Sequence, residues 1–296
     1  MTAQILDGRK LSTEIKEELA AEIEKISPAV GRKPGLAVVL VGEDPGSKVY
    51  VRSKRKTCES LGIFSPEYTF DVKISPEKLF STVDELNNDK RIDGILVQSP
   101  LPDGFDEFAV TLSIDPDKDV DGFHPVNVGK LMAGKEAFVA CTPLGVQLIL
   151  SRNGIDTSGK HVVIVGRSNI VGKPLAALLM QKKKGANATV TVCHSRTKDL
   201  AEITRQADIH IAAMGSPKFI TEDMVSEGTV VIDVGINRIE DTTKKSGYRL
   251  SGDVDYERVA EKASWITPVP GGVGPMTIAM LMYNTVQSYK RRNGVD

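Results

Sequence analysis

Apolar and polar residues follow one another along the first half of the chain in blocks that predict helices and strands in alternation. Leu36–Gly42 is a continuous apolar run rich in β-branched residues, which is typical of a strand buried on both faces in a parallel sheet. Helices are predicted over Lys10–Ile26, Ser47–Leu61 and Ser75–Asn87, and Gly94–Pro102 predicts a strand that ends in a proline-marked loop. This alternation predicts an α/β domain with right-handed crossovers.

A second series of predicted elements begins after about Thr142. Four apolar runs predict its strands: His161–Gly166, Ala188–His194, Ile209–Gly215 and Val230–Ile236. A glycine-bearing turn and a predicted helix, Pro174–Gln181, separate the first of these strands from the second. Such a succession of strand, turn, helix and strand is typical of a doubly wound, nucleotide-binding fold. The final segment, Met276–Arg291, is apolar at helical spacing.

With 296 residues, the chain is long enough for two domains. We therefore expect an α/β protein with two α/β domains, the first over residues 1–141 and the second over residues 142–274. The second is expected to be a doubly wound (Rossmann-type) dinucleotide-binding domain. By its pattern alone, the terminal helix within residues 275–296 could pack on either domain.

Charges are nearly balanced, with 38 Lys and Arg against 39 Asp and Glu, so neither nucleic acid nor an anionic membrane is an expected partner. No stretch reaches the roughly 18 apolar residues of a membrane span, and no apolar secretory signal is visible at the N-terminus. Cys58, Cys141 and Cys193 do not form a metal-ligand pattern, which favours reduced thiols in a cytoplasmic protein. The four histidines make no HxxxH or HExxH pattern, so we predict no catalytic metal.

The string GRSNIVGKP, Gly166–Pro174, follows a predicted strand and opens a predicted helix. Free N–H groups and the helix dipole favour an anion at such a place, and glycine allows a pyrophosphate to approach the backbone. Gly166 and Gly172 are six residues apart, so the string is not the GxGxxG motif. The alternative is a tight turn that binds no ligand.

The turn after the next predicted strand, His194–Thr197, contains no carboxylate. An NAD-binding domain usually has an Asp or Glu there to bind the ribose 2′-hydroxyl. Arg196 and Ser195 occupy the turn instead, and Arg167 lies in the glycine turn. Guanidinium and hydroxyl groups suit a 2′-phosphate, so we predict NADP rather than NAD as the cofactor. A solvated surface position for Arg196 is the alternative.

Tyr50 and Lys54 are four residues apart on a predicted helix and so project from one face. Further cations crowd the same helix: Lys48, Arg52, Arg55 and Lys56. Neighbouring like charges would favour proton loss from Lys54, and the same cluster would suit an anionic substrate tail. A half-exposed surface pair is the alternative for Tyr50 and Lys54.

Two polar features follow the predicted strands of the first domain. Gln98 ends a strand, where α/β sheets bind ligands, although it could merely satisfy the loop backbone. Within Asp115–Gly122, the spacing of Asp117, Asp119, Asp121 and Gly122 matches the first half of a calcium-binding loop. Val128 stands where the bidentate Glu is needed and Pro125 interrupts the loop, so we reject calcium. A buried Asp in this string could pair with the N–H groups of a planar heterocycle, or the string could be an acidic surface turn. The glycine-rich Thr267–Pro275 either borders a ligand cleft or is only a loop.

Together these strings resemble the bifunctional methylenetetrahydrofolate dehydrogenase/cyclohydrolase family over nearly the whole chain. The resemblance is carried, in the family's order, by the Tyr50–Lys54 helix, GILVQSPLP, DPDKDVDGFHPVNVG, CTPLGV, GRSNIVGKP and PVPGGVGPMT. One small departure is Ala140, where the family often has proline before the CTP string.

The resemblance implies a role for each candidate residue. Lys54 would be the catalytic lysine, which moves protons while the methenyl bridge is hydrated and opened. Tyr50 would stack on the aminobenzoyl ring, Gln98 would position Lys54, and Asp121 would anchor the pterin ring.

For the cofactor, the resemblance implies that Gly166, Arg167 and Ser168 hold the phosphates. Ser195 would lie near the adenosine ribose-phosphate and Ile236 near the nicotinamide. The terminal helix would return to the first domain, and a cleft between the domains would hold the substrate.

The implied activity is the oxidation of 5,10-methylenetetrahydrofolate with NADP, followed by hydrolysis of the methenyl product to 10-formyltetrahydrofolate. The family also implies a homodimer, a substrate with or without a polyglutamate tail, and a place in one-carbon metabolism and purine biosynthesis. Three alternatives stay open: a dehydrogenase-only member of the same fold, a shikimate-type dehydrogenase, and a non-catalytic nucleotide sensor.

Overall fold

A computed structural model describes residues 2–244 and 247–296 and divides the chain into two compact units. One unit combines the N-terminal segment through Thr13 with Thr142–Thr277. The other combines Glu14–Cys141 with Ile278–Asp296. We call them the six-stranded unit and the three-stranded unit after their main sheets.

The strands are β1 (Gln4–Ile5), β2 (Leu36–Val41), β3 (Glu67–Phe70), β4 (Gly94–Val97), β5 (His161–Val165), β6 (Thr189–Cys193), β7 (Ile209–Ala212), β8 (Val230–Asp233), β9 (Asn237–Glu240), β10 (Tyr248–Ser251) and β11 (Trp265–Ile266). The α-helices are α1 (Gly8–Val30), α2 (Pro45–Leu61), α3 (Pro76–Asn88), α4 (Glu107–Ser113), α5 (Pro125–Met132), α6 (Cys141–Arg152), α7 (Gly172–Leu179), α8 (Leu200–Thr204), α9 (Tyr256–Val259) and α10 (Val273–Asn293). None of the helices in the described ranges is long and apolar enough to cross a membrane.

The three-stranded unit has a parallel sheet in the order β3-β2-β4. Every residue of β2 is buried, as the continuous apolar run predicts for a central strand covered on both faces. One face of this sheet packs on α3 in a core of ten buried residues: Ala37, Val39, Val41, Leu79, Val83, Leu86, Ile92, Ile95, Val110 and Ile114.

Two helices of this unit begin where their sequences favour a helix start. Asp44 caps α2 by accepting a hydrogen bond from Ser47 N at 2.7 Å, and Pro45 occupies the first turn. Ser75 caps α3 in the same manner. Gly62 ends α2 with a φ of 69°, a left-handed conformation that glycine adopts without steric cost.

The six-stranded unit has a parallel sheet in the order β1-β11-β8-β7-β5-β6 and a separate antiparallel hairpin, β9–β10. Because β6 and β7 lie on opposite sides of β5, the connections leave β5 in both directions, which defines a doubly wound sheet. The α/β class expected from the sequence is confirmed.

The N-terminal segment belongs to a different unit than the expected division at residue 141 implies. β1 pairs in parallel with β11, and Leu6 N donates to Ile266 O at 2.9 Å, which joins this segment to the six-stranded sheet. A strand of two residues carries too little pattern to be seen in the sequence. At the other end of the chain, α10 begins in the six-stranded unit and belongs to the three-stranded unit from Ile278 onward.

Candidate active site and nucleotide-binding edge

In the three-stranded unit, the amine of Lys54 is held at the carboxyl end of β4. Gln98 follows Val97, the last residue of that strand, and its Oε1 accepts a hydrogen bond from Lys54 Nζ at 3.0 Å. Gln98 Nε2 donates to Ser99 O at 2.5 Å, which orients the amide so that its oxygen faces the lysine. A neutral acceptor positions Lys54 without cancelling its charge.

Tyr50 lies one turn before Lys54 on α2, and 44% of it is exposed. Lys54 itself is half-buried, so its stem is packed while its amine reaches the polar end of the strand. An exposed ring beside a held amine is available to stack on a flat ligand.

The cations expected to crowd Lys54 are interleaved with carboxylates. Lys48 is paired with Glu43, and Arg55 lies 2.9 Å from Glu59. Arg55 also lies 3.6 Å from Glu67. Together with Arg52 and Lys56, these residues line a surface cavity of about 610 Å³. The expected positive cluster is therefore partly neutralised, which weakens the argument that it binds an anionic tail.

Asp121 shares the electrostatic surroundings of Lys54. Burial raises the pKa of the Asp121 carboxyl to about 6, the charge of Lys54 opposes this rise, and Asp119 adds to it. The thiol of Cys141 lies 3.9 Å from Asp121 Oδ1. A carboxyl that ionises near pH 6 can accept hydrogen bonds as an anion at neutral pH.

Asp119 builds the turn that presents Asp121, a role that the sequence interpretation missed. Its carboxylate accepts hydrogen bonds from four protein donors at 2.8–3.3 Å: Gly122 N, Phe123 N, His124 N and Asn127 Nδ2. The segment also runs beside β4, since Ile95 N donates to Lys118 O at 2.9 Å. The only available signal was the place of Asp119 two residues before Asp121 in the acidic string.

In the six-stranded unit, the glycine turn between β5 and α7 is as tight as its sequence predicts. Gly166 has a φ of 136°, and a Cβ there would lie 2.1 Å from Ala213 O. A Cβ at Gly172 would lie 2.1 Å from Gly166 O. Both positions therefore require glycine, because any side chain would collide with backbone.

Arg167 and Ser168 are exposed within this turn. Ser168 Oγ accepts a hydrogen bond from Val171 N at 3.1 Å, which fixes the approach to α7. The turn thus presents a cation and a hydroxyl at the start of a helix, where the backbone favours anions.

The turn after β6 lies beside the glycine turn, because Val165 and Cys193 are paired in neighbouring parallel strands. Ser195 and Arg196 are exposed in it, and Arg196 N donates to His194 Nδ1 at 3.1 Å. Two arginines therefore stand at the carboxyl ends of adjacent strands.

Ile236 lies at the same edge of the sheet, three residues beyond the end of β8, and 43% of it is exposed. A Cβ added to Gly274 would lie 3.2 Å from Ile236 Cδ1, so the start of α10 restricts this side chain. The fold therefore gathers the six residues expected at the cofactor along one edge: Gly166, Arg167, Ser168, Ser195, Arg196 and Ile236.

This edge defines a dinucleotide-binding protein of the doubly wound α/β class. Two family models divide the chain between them: the tetrahydrofolate dehydrogenase/cyclohydrolase catalytic domain matches residues 6–121, and the NAD(P)-binding domain of the same family matches residues 140–293. The chain belongs to the tetrahydrofolate dehydrogenase/cyclohydrolase family.

Individual relatives agree with this assignment. The chain is 59% identical over 293 residues to the bifunctional protein FolD of Chlorobium phaeovibrioides, covering 98% of this chain and 99% of that protein. A crystal structure of bifunctional FolD from Campylobacter jejuni is 50% identical and has a TM-score of 0.92, covering 98% and 99%. FolD from Trypanosoma brucei, solved with NADP and an inhibitor, is 38% identical with a TM-score of 0.93, covering 98% of each chain. The predicted bifunctional enzyme class is confirmed.

Proposed function

We propose that this chain oxidises 5,10-methylenetetrahydrofolate to 5,10-methenyltetrahydrofolate with NADP and then hydrolyses the product to 10-formyltetrahydrofolate. The observation that carries the proposal is the hydrogen bond from Lys54 Nζ to Gln98 Oε1 in the unit matched by the family's catalytic domain. Because hydrolysis needs proton transfer and hydride transfer mainly needs orientation, a lysine held in this way favours the bifunctional enzyme over a dehydrogenase alone.

For hydride transfer, the protein mainly has to orient the folate substrate relative to the nicotinamide. NADP, when bound, accepts the hydride, and the folate nitrogens stabilise the cation left behind. Arg167 and Ser168 would hold phosphate oxygens, and Arg167 would share the 2′-phosphate with Ser195 and Arg196 at the neighbouring strand end. Ile236 would cover the nicotinamide side. The glycine turn, which a Cβ would fill, fits a group that must approach the backbone.

Hydrolysis also requires proton transfer, which side chains of the three-stranded unit would provide. Water adds its oxygen to the cationic methenyl carbon and releases one proton to solvent. Lys54 Nζ then gives a proton to N5 as the carbon–N5 bond breaks, and it takes up the proton of the new hydroxyl, whose oxygen becomes the formyl carbonyl on N10. Gln98 keeps Nζ in place, and Tyr50 would stack on the aminobenzoyl ring.

Asp121 would accept hydrogen bonds from the N–H groups of the pterin ring, as a charged carboxylate does best. Because its pKa is about 6, this carboxylate is ionised above pH 6 and loses acceptor strength below it. We therefore expect the KM for methylenetetrahydrofolate to rise as pH falls from 7 to 5. The rise should disappear in Asp121→Asn, whose KM should be high at every pH. Steady-state kinetics at constant ionic strength measure this, and an unchanged pH profile in the variant would remove the anchor role.

Arg167 should set part of the preference for NADP over NAD. Replacing it with glutamine removes a charge-assisted hydrogen bond to the 2′-phosphate, so the ratio of kcat/KM for the two cofactors should fall by about tenfold. Lys160→Gln is the control, since Lys160 precedes β5 at the opposite edge of the sheet and pairs with Asp208 at 3.7 Å. An unchanged ratio in the Arg167 variant would show that the 2′-phosphate is held elsewhere.

Three spectrophotometric assays test the function directly: methylenetetrahydrofolate with NADP, the same with NAD, and methenyltetrahydrofolate alone. Reduction of NADP together with decay of the methenyl substrate supports both activities. Reduction without decay favours the dehydrogenase-only alternative and removes the role of Lys54. Binding of NADP without turnover favours a nucleotide sensor.

The proposal also includes a homodimer, a cytoplasmic location and a supply of one-carbon units for purine biosynthesis, with neither nucleic acid nor membrane as partner. The balanced charge of the chain supports the last point. Arg52 and Lys56 support a polyglutamate tail on the substrate, and they line the cavity beside α2. Sedimentation equilibrium and a comparison of KM for mono- and polyglutamylated substrate test these points.

A further inference from the structure

Two buried aspartates, Asp233 and Asp253, lie together in the six-stranded unit. Asp233 is the last residue of β8, and Asp253 follows β10. Asp233 Oδ1 accepts hydrogen bonds from Asp253 N and Gly235 N, each at 2.9 Å, and its Oδ2 accepts one from Val254 N at 3.0 Å. The carboxylate of the first aspartate therefore fixes the backbone of the second.

Asp253 in turn joins two loops that are distant in sequence. Its Oδ2 accepts hydrogen bonds from Met214 N at 2.7 Å and Gly215 N at 2.8 Å. Its Oδ1 accepts from Ser216 N at 2.9 Å and from Asn237 Nδ2 at 2.8 Å. Three of these donors follow β7 and the fourth follows β8, so one carboxylate sets the loops of two adjacent strands.

Two glycines pack directly against the carboxylates of the pair. A Cβ at Gly235 would lie 2.3 Å from Asp253 Oδ1, and one at Gly252 would lie 1.8 Å from Asp233 Oδ2. Burial raises the pKa of Asp233 to about 7; the backbone N–H groups oppose this rise, and the Asp253 carboxylate adds to it. Two carboxyl groups therefore lie close together in a buried site. Four N–H donors compensate the charge of Asp253.

Both loops reach the residues that would hold the cofactor. Ala213 precedes the held segment after β7, and its carbonyl oxygen is the atom that a Cβ on Gly166 would meet at 2.1 Å. Ile236 lies between Gly235 and Asn237, one of which is bound by Asp233 and the other by Asp253. The pair therefore connects the glycine turn after β5 to Ile236 after β8, on either side of β7 in the sheet.

We propose that Asp253, supported by Asp233, is a positioning residue of the NADP site that sets the loop after β7 and the segment around Ile236 relative to the glycine turn. The inference rests on the proposed function, since it takes this edge as the place of the cofactor. Asp253 acts through three backbone N–H groups and the side chain of Asn237, and it is not proposed to contact NADP.

Asp253→Asn tests the proposal with little change in volume. In either orientation, the new NH2 group faces two of the four donors and loses their hydrogen bonds. We expect the Kd for NADP, measured by isothermal titration calorimetry, to rise by about tenfold or more, and the KM for NADP to rise with it. Dehydrogenase kcat at saturating NADP, and hydrolysis of methenyltetrahydrofolate without NADP, should fall much less than the affinity.

Asp208→Asn is the matched control. Asp208 Oδ2 accepts a hydrogen bond from His161 N at 2.8 Å, so it too binds backbone, but at the amino-terminal edge of the same sheet. Its variant should bind NADP as tightly as the wild-type chain. Asn237→Ala, which removes one donor to Asp253, serves as a second variant if Asp253→Asn does not fold, and its Kd should rise by about threefold.

Wild-type affinity for NADP in both Asp253→Asn and Asn237→Ala would overturn the proposal. A parallel loss of affinity, kcat and hydrolysis together with a lower Tm would also overturn it, because it would show a purely structural role. If the wild-type chain neither binds NADP nor reduces it, the proposed function fails instead, and the wild-type assays make that case distinguishable.

Discussion

Lys54→Met is expected to slow hydrolysis of methenyltetrahydrofolate by about 10²- to 10⁴-fold, the usual contribution of a positioned acid or base. Methionine keeps much of the apolar stem but removes Nζ, the atom held 3.0 Å from Gln98 Oε1. Hydride transfer to NADP should fall by no more than about tenfold, because it needs orientation rather than proton movement. The two rates are measured on the same preparation, one by NADP reduction and the other by loss of methenyl absorbance.

Lys78→Met is the matched control for this variant. Lys78 is exposed on α3 of the same unit, so the identical substitution there should leave both rates near those of the wild-type chain. Equal losses of hydrolysis and hydride transfer in Lys54→Met would contradict the division of labour between Lys54 and the cofactor-binding residues. A wild-type rate of hydrolysis would remove Lys54 from the mechanism altogether.

The second large effect concerns His210, a fully buried histidine on β7. Neither of its ring nitrogens has a hydrogen-bond partner in the part of the chain that the structure describes. Burial lowers its pKa from 6.5 to about 4, because the charged imidazolium would lack both water and a partner. The folded state therefore binds its proton less readily than the unfolded state does.

The direction of the pH effect follows from this difference. The contribution of His210 to the free energy of unfolding is complete above pH 6.5 and is lost as pH falls from 6.5 to about 4, amounting to about 3 kcal/mol. His210→Leu removes the titrating group, so its stability should decline less over this range. It should also be more stable than the wild-type chain at pH 7 by about 1 kcal/mol, since two unsatisfied polar atoms leave the core.

Denaturant unfolding of both proteins at pH 7.5 and pH 4.5 measures the effect. The quantity to compare is the change in the free energy of unfolding between the two pH values, taken as the difference between the two proteins. Asp121 and Asp233 have raised pKa values that act in the opposite direction, but they contribute equally to both proteins and cancel in this difference. Ile211→Leu, on the same strand, is the control and should shift stability by the same amount at the two pH values. If His210→Leu also changes the stability by the same amount at both pH values, the imidazole does not titrate as described.

Much of the fold could be predicted because its main elements carry local patterns. The apolar run at β2 predicts a strand covered on both faces, and every residue of β2 is buried; the run at β5 predicts a strand, and all of β5 after His161 is buried. The start of α3 follows from Ser75 with Pro76 after it, whereas α2 begins at Pro45, two residues before the predicted start at Ser47. The strands that were missed are short or polar, such as β1, β3 and the β9–β10 hairpin, and they are strands because of their partners rather than their own pattern.

Some features of the candidate site could also be predicted from local sequence patterns, whereas others depend on the tertiary structure. Helical spacing alone placed Tyr50 and Lys54 on one face, and strand ends alone indicated Gln98 and the glycine turn. That Gln98 turns its amide oxygen to a lysine 44 residues away depends on the packing of α2 against the sheet. Of the carboxylates that oppose Lys48 and Arg55, Glu43 and Glu59 are near them in sequence, and only the approach of Glu67 on β3 to Arg55 depends on the tertiary structure.

The sequence by itself determined the α/β class, the glycine turn, the candidate lysine and the family. The first three depend on residues that are near one another in the chain, and the family is indicated by short motifs that can be read directly in the sequence. Only the tertiary structure decided that the N-terminal strand joins the six-stranded sheet, that Asp119 builds the turn presenting Asp121, and that Asp253 holds loops 16 to 39 residues away. The physical reason is that hydrogen bonds of a buried carboxylate, and the pKa that its burial produces, depend on groups which the chain brings together only when it folds.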